Sequence, residues 1–250
     1  MNGEELKLKQ EEMHDLIKKH AEELGLSNDK TKPILDGVYD ESAYLDAPLR
    51  IMWIMKEAYD DKDENGNSCG GDWSIFDILD ENKPIPQSWY RIIYATYGIF
   101  NKKNHVDMYS IRQKPSMKDV LYKIAYINLN KMPAYKKSSD ADLEENYKIW
   151  KDVLIKQIDL YNPQVIVFGN TFDFFRKDLV GGTEPFIIEE GLIQVFRRKG
   201  ALLFHAYHPN NRVKGVTTPK YVDSIINPCL KEFWSIEQII LSCTLIFNSY

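Results

Sequence analysis

The chain of 250 residues has little cysteine, and what it has is scattered. Its three cysteines, Cys69, Cys229 and Cys243, form no CxxC pair. Their number and spacing therefore predict no zinc site, no iron–sulfur cluster and no disulfide framework. Such cysteine usage fits a reducing cytoplasm, which is the compartment that we expect. The sequence predicts no cofactor and no metal.

An excess of positive charge and long apolar runs are also missing. The formal net charge is −5, so no global basic field indicates a nucleic acid, although a local basic cleft can lie on an acidic protein. Residues 1–10 are charged, which predicts no signal peptide. The apolar stretch 236–247 contains Glu237 and Gln238 and is too short to span a bilayer. We expect no membrane partner, and we expect this stretch, in a C-terminal tail of residues 233–250, to be buried or to join two copies of the chain.

What is present is typical of a globular protein, with 44% hydrophobic and 28% charged residues. The length predicts one domain, which begins with an amphipathic helix at residues 4–24. Short apolar runs predict strands buried on both faces at residues 50–55, 124–127 and 164–168. A hairpin is predicted at residues 192–197 and 201–207.

Segments whose apolar residues recur at helical spacing separate most of these strands. This spacing predicts helices at residues 89–100, from Ser139 to Asn162, near 171–177 and at 219–230, the last with a break near Pro228. Long connections between short strands are typical of parallel pairing. The sequence therefore predicts an α/β fold, a three-layer α/β/α sandwich with a central, mainly parallel sheet.

Four short polar motifs each follow a predicted strand. They are Lys56-Glu57-Ala58-Tyr59, Asn128-Leu129-Asn130-Lys131, Gly169-Asn170 and His208-Pro209-Asn210-Asn211. In an open α/β sheet, ligands bind in the crevice beyond the carboxyl ends of the strands. We therefore expect a carboxylate, an amide and an imidazole that are distant in sequence to meet in one cleft.

Each of these side chains has a functional and a structural interpretation. Glu57 directly follows a buried strand, so its basicity can be raised for activating water or stabilising a cation; the alternative is a salt-bridged surface glutamate. Asn128 can donate and accept at the edge of a nucleobase, or it can tie down its own loop. His208 can donate a hydrogen bond to a departing anion, or its ring can be satisfied by the backbone.

Two other features near these motifs carry weaker signals. His205 is three residues before His208, and strand alternation points the two rings to opposite faces, so no shared metal site is predicted. Gly169 and Asn170 lack the further glycines of a phosphate-binding loop, but the following helix could receive an anion. Basic residues at 197–199, Arg212 and Lys214 flank His208 in sequence, where they form either a phosphate-facing surface or a solvated one.

In this order, the motifs resemble those of the uracil-DNA glycosylase superfamily over roughly residues 50–214. Residues 55–59, Met-Lys-Glu-Ala-Tyr, are similar to the motifs GQDPY and GEAPG, and acidic residues with a glycine follow at 60–66. Residues 127–133 resemble the strand that ends in Asn before a Lys and a Pro, and residues 163–169 resemble the strand of the pattern P-x-hydrophobic-G. His208-Pro209-Asn210 is similar to the His-Pro-Ser loop.

The resemblance implies a base-excision DNA repair enzyme that flips a uracil-like base into a pocket and hydrolyses its N-glycosidic bond. It implies that Glu57 stabilises the cationic sugar or aligns water, and that His208 stabilises negative charge on the leaving base. It places the substrate against Tyr59, Asn128, Gly169, Asn170 and a stacking ring, which is Trp73 or Phe76. It places DNA against Lys131, Asn210, Asn211 and Arg212.

Two alternatives remain open at this point. One is a catalytically inactive module of the same fold that binds a nucleic-acid end, a nucleotide or a protein partner. The other is a hydrolase of free nucleosides, which needs no basic surface. A positive groove beside the His208 loop would favour duplex DNA, whereas a small closed pocket would favour a free nucleoside.

Overall fold

The computed structural model describes residues 1–28, 31–58, 79, 85–134, 138–189, 191–211 and 213–235. Three predicted site residues, Tyr59, Trp73 and Arg212, lie outside the described residues, as does the apolar stretch 236–247. The described chain has a mixed α/β architecture around one seven-stranded sheet.

The sheet is parallel at its centre and antiparallel at both sides. Its strands are β1 Gly37–Val38, β2 Ile51–Met55, β3 Ile124–Asn128, β4 Val165–Gly169, β5 Ile187–Glu189, β6 Ile193–Arg198 and β7 Ala201–Ala206. They lie in the order β1-β3-β2-β4-β7-β6-β5. Strands β3, β2, β4 and β7 run parallel, whereas β1, β6 and β5 run antiparallel to their neighbours. The predicted buried strands and the predicted hairpin are confirmed.

Helices cover both faces of this sheet. They are α1 Gly3–Glu23, α2 Glu41–Leu45, α3 Tyr90–Asn101, α4 Asp140–Tyr161, α5 Phe172–Leu179 and α6 Thr218–Trp234. Side chains on one face of β2, such as Trp53, share a core with α3 and α6, and those on the other face, such as Ile54, share one with α1, α4 and α5. The described residues contain no helix with the length and apolarity needed to cross a membrane.

Local sequence sets the ends of these helices. Helix α4 begins at a capping box in which the Ser139 hydroxyl accepts the N–H of Asp142. It ends at Asn162, whose φ of 44° is left-handed, directly before Pro163. The predicted break at Pro228 is wrong, because α6 continues to Trp234. Proline removes one backbone donor there, and the buried side chains of α6 around it keep the helix packed on the core.

The register of the parallel strands brings the four motifs to one edge of the sheet. Met55 lies opposite Asn128, and Gly169 lies opposite Ala206. Since parallel strands in register end together, the segments after β2, β3, β4 and β7 all begin at this carboxyl edge.

The basic turn of the hairpin lies at the other edge. Arg198 pairs with Ala201 at the amino end of β7, whereas His208 follows the carboxyl end of that strand. Arg197 forms an ion pair of 2.7 Å with Glu232, and its guanidinium lies 3.8 Å from the centre of the Phe186 ring. Residues 197–199, which flank His208 in sequence, therefore lie at the opposite end of β7 from it.

Candidate functional site at the carboxyl edge of the sheet

Glu57 is a half-buried carboxylate just beyond β2. Its Oε1 accepts the backbone N–H of Ser138 at 3.4 Å, and its buried Oε2 has no hydrogen-bond partner among the described residues. Burial raises the pKa of the Glu57 carboxyl and Asp142 adds to this, while the Ser138 N–H and Lys56 oppose it. The carboxylate is thus more basic than an ordinary glutamate and retains an oxygen that can accept a hydrogen bond.

His208 is held as a neutral hydrogen-bond donor. Its Nδ1 accepts the backbone N–H of Asn210 at 3.1 Å, so the proton of the neutral ring is on Nε2. Burial lowers the pKa of His208 to about 4, and the positive charge of Lys56 contributes to the lowering. At neutral pH the ring is therefore uncharged, and its Nε2–H is available for donation.

Asn128 is oriented by an aspartate that the sequence did not single out. The carboxylate of Asp36 accepts the backbone N–H of Asn128 at 2.6 Å and its Nδ2 at 3.4 Å. The same carboxylate accepts Nε2 of Gln157 at 3.0 Å and Nζ of Lys131 at 2.7 Å. No local pattern around Asp36 marks it, because all of these partners are distant in sequence.

Lys131 is an interior residue. Its side chain is 0% exposed, and that of Asp36 is 1% exposed. Burial lowers the pKa of the Lys131 ammonium, and the Asp36 charge opposes that shift. The prediction that Lys131 contacts DNA is wrong for this structure, because a fully buried ammonium that is paired with a carboxylate cannot reach a phosphate.

Backbone contacts extend the pairing of the strands into the motifs. The N–H of Asn130 donates to the carbonyl of Lys56 at 2.9 Å, beyond the last paired residues of β2 and β3. The N–H of Asn170, a residue with a left-handed φ of 64°, donates to the carbonyl of Ala206 at 2.8 Å. The main chain therefore joins the first two motifs to each other and the third motif to the end of β7.

Gly169 lets the end of β2 and the His208 loop pack closely against the end of β4. A Cβ at this position would lie 2.6 Å from Sδ of Met55 and 3.3 Å from Cδ of Pro209, so the Met55 side chain would have to move to admit one. The end of β2 therefore packs over the end of β4 beside the loop that carries His208. The glycine serves close approach here and not a special backbone angle.

The structure thus places Glu57, Asn128 and His208 beyond the same edge of the sheet, but gives each of these side chains its own partner. Glu57 contacts Ser138, Asn128 contacts Asp36, and His208 contacts its own turn. Of the residues predicted to bind DNA, Asn210 is exposed and Asn211 is half-buried.

A cavity of about 270 Å³ opens at the same edge, beside β7. Its lining includes Gln194, His205 and Tyr207 but none of the predicted site residues. The ring of His205 stacks on Phe172 at 5.2 Å between centroids. The described residues include no group of three histidine, cysteine or acidic side chains placed to hold a metal ion.

The charge of Lys56 gives a prediction about His208. Replacing Lys56 by glutamine should raise the pKa of His208 above its value of about 4, because a neutral side chain no longer opposes the imidazolium. The pKa should stay below 6.5, since burial is the larger cause. An NMR titration of the ring measures this shift. The exposed Lys214→Gln is the matched control and should leave the titration unchanged; equal shifts in both variants would contradict the assignment.

No protein-family model matches this chain, and no curated protein matches it in sequence. What this edge of the sheet binds is therefore inferred from its own side chains.

Proposed function

We propose that the chain is a glycosylase of the uracil-DNA glycosylase type, with a three-layer α/β/α sandwich, that recognises a flipped nucleobase in DNA and hydrolyses its N-glycosidic bond. One observation carries this proposal. A neutral imidazole with its proton on Nε2 and a carboxylate of raised pKa stand at the same edge of the sheet, at His208 and Glu57. Breaking such a bond is aided by a donor to the leaving base and by a carboxylate near the sugar cation, and these two groups can supply both.

The reaction divides between those two groups. When the glycosidic bond breaks, its electron pair leaves with the base, and the sugar becomes an oxocarbenium-like cation. The Nε2–H of His208 donates to the base oxygen where negative charge develops. The carboxylate of Glu57 stabilises the cation, orients the water that adds to it and accepts a proton from that water. The products are a free base and an abasic site.

The remaining predicted residues bind the substrate in this proposal. The carboxamide of Asn128, held by Asp36, reads the edge of the base. In this proposal Gly169 and Asn170 form the floor of the base pocket between Asn128 and His208. Tyr59 and Trp73 lie outside the described residues and keep only the roles that the resemblance gives them. The loop of Asn210, Asn211 and Arg212 contacts the DNA strand.

A hydrolase of free nucleosides is a second candidate, and two observations favour it. Lys131 is buried, so one of the predicted phosphate contacts is missing. The basic turn at residues 197–199 lies at the opposite edge of the sheet, so its charges are also away from the site. The hydrolysis of a free nucleoside needs neither a lysine that contacts phosphate nor a basic surface beside the site.

The test is to incubate the protein with single- and double-stranded oligonucleotides that contain uracil or other modified bases, and separately with free nucleosides. Alkali cleavage reveals abasic sites, and chromatography reveals released base. We expect abasic product from wild type and from Glu144→Gln, a surface carboxylate on α4, but not from Glu57→Gln. Release from nucleosides alone would support the second candidate. Binding without release would indicate an inactive module, and neither binding nor release would overturn both candidates.

A further inference from the structure

Arg91, in the first turn of α3, holds the far end of the loop that carries His208. Its Nη1 donates to the carbonyl of Asn211 at 3.1 Å, and its Nη2 donates to the carbonyl of Val216 at 3.0 Å. Two carbonyls five residues apart are thus fixed by one planar guanidinium. The side chain is only half-buried, and burial lowers the pKa of the guanidinium while leaving it charged.

The other end of the loop is held by a neighbour of Arg91. The hydroxyl of Tyr221, on α6, donates to the carbonyl of Tyr207 at 2.8 Å. The guanidinium of Arg91 lies 4.9 Å from the centre of the Tyr221 ring, which is a cation–π contact. Residues 207 and 211 are therefore fixed from the same side of the sheet, by two side chains that touch each other.

His208 lies between these two fixed carbonyls. Between these two fixed carbonyls, the N–H of Asn211 donates to the carbonyl of His208 at 2.7 Å, and the N–H of Asn210 donates to Nδ1 of the His208 ring at 3.1 Å. The second of these bonds is the one that keeps the ring proton on Nε2. The Asn211 carbonyl is two peptides further along the chain than the Asn210 N–H, so displacing that carbonyl would shift the turn that holds the Asn210 N–H against the ring.

We infer that Arg91 is a positioning residue: by holding the Asn211 carbonyl, it keeps the Asn210 N–H on Nδ1 of His208 and so fixes the ring as an Nε2–H donor. The effect of Arg91 on the rate of base release rests on the proposed function, whereas its effect on the tautomer of His208 does not. The contact needs the fork of an arginine, because a lysine ammonium is a single point and cannot span both carbonyls in the same geometry.

The experiment compares Arg91→Ala, Arg91→Lys and a matched control, Arg50→Ala. Arg50 also donates to a loop carbonyl, that of Asn162 at 2.8 Å, but it precedes β2 and so lies at the opposite edge of the sheet. Two readouts need no substrate: the ¹⁵N shifts of the His208 ring, which report its tautomer, and the hydrogen exchange of the Asn210 amide. The third readout is the single-turnover rate of base release.

In Arg91→Ala we expect the His208 ring to become a mixture of tautomers and the Asn210 amide to exchange at least about tenfold faster, since its hydrogen bond opens more often. The rate should fall by about 10²-fold, the typical cost of misplacing a catalytic group by 1 Å. Arg91→Lys should lie between wild type and Arg91→Ala in all three readouts. Arg50→Ala should lower the melting temperature and leave His208 unchanged.

Two results would overturn the inference. One is a His208 spectrum and an Asn210 exchange rate in Arg91→Ala that equal those of wild type. The other is the same change in Arg50→Ala, which would make the effect one of general stability. If wild type releases no base, the proposed function fails, while the tautomer and exchange measurements still decide whether Arg91 positions His208.

Discussion

Asp36→Asn is expected to lower the free energy of unfolding by about 3–5 kcal/mol, the typical cost of breaking a buried ion pair from one side. The ammonium of Lys131, whose side chain is 0% exposed, would stay in the interior without its counter-charge. Gln157 and Asn128 would lose the charged acceptor that they share. Urea unfolding followed by circular dichroism measures the change.

A surface ion pair of similar length provides the matched control. Lys151 and Asp178 are 2.6 Å apart, with side chains 42% and 24% exposed. Lys151→Met should therefore cost only about 0–1 kcal/mol. The double variant Asp36→Asn, Lys131→Met should recover part of the loss, since it leaves no buried charge. A cost for Asp36→Asn as small as that for Lys151→Met would show that the pair does not stabilise the fold.

His208→Ala is expected to reduce the rate of base release by about 10²–10³-fold, as removal of one donor from an anion-stabilising site does. Affinity for the substrate should change far less, because the Nε2–H bond strengthens only as charge develops on the leaving base. Single-turnover rates and equilibrium binding, measured on the same substrate, separate the two effects.

The control is the other half-buried histidine of this region. Burial also lowers the pKa of His205, but its ring stacks on Phe172 and lies 3.6 Å from Asp173. His205→Ala should leave the rate near that of wild type. Equal losses of rate and affinity in His208→Ala would argue against a role in the transition state.

The pH dependence of the wild-type rate follows from the same groups. With a pKa of about 4, His208 stays neutral through the neutral range, so its protonation does not change the rate there. As pH falls, Glu57 becomes neutral before His208 takes up a proton, because burial raises the pKa of Glu57. As pH falls further through the pKa of His208, the incoming proton occupies Nδ1 and displaces the Asn210 N–H. We therefore expect activity to be lost on the acid side.

The parts of the fold that the sequence predicted are those with strong local signals. The apolar run at residues 50–55 contains β2, and α4 begins at the capping signal of Ser139, as predicted. Strands β1 and β5 were missed because they have two and three residues, too few for any hydrophobic period to show. They join the sheet through pairing with longer strands.

The site was predictable only as far as strand ends could be located. Strand order and parallel pairing are enough to predict that Glu57, Asn128 and His208 lie at one edge of the sheet. The contact between Asp36 and Asn128 could not be predicted, because the two residues are 92 positions apart and a buried acid has no sequence signature of its own. Lys131 was assigned to DNA through the resemblance, and no sequence pattern shows that it is instead buried against Asp36, since lysine is rarely buried unless it is paired.

The missing side chain at Gly169 makes the thioether of Met55 a sensor of the neighbouring loop. Sδ and Cε of Met55 occupy the space in which a Cβ at position 169 would lie, next to the ring of Pro209. The chain has seven methionines, so selective ¹³C labelling of their methyl groups gives a spectrum simple enough to assign. The resonance of Met55 would then report the binding of a ligand at the His208 loop without any probe being attached to that loop.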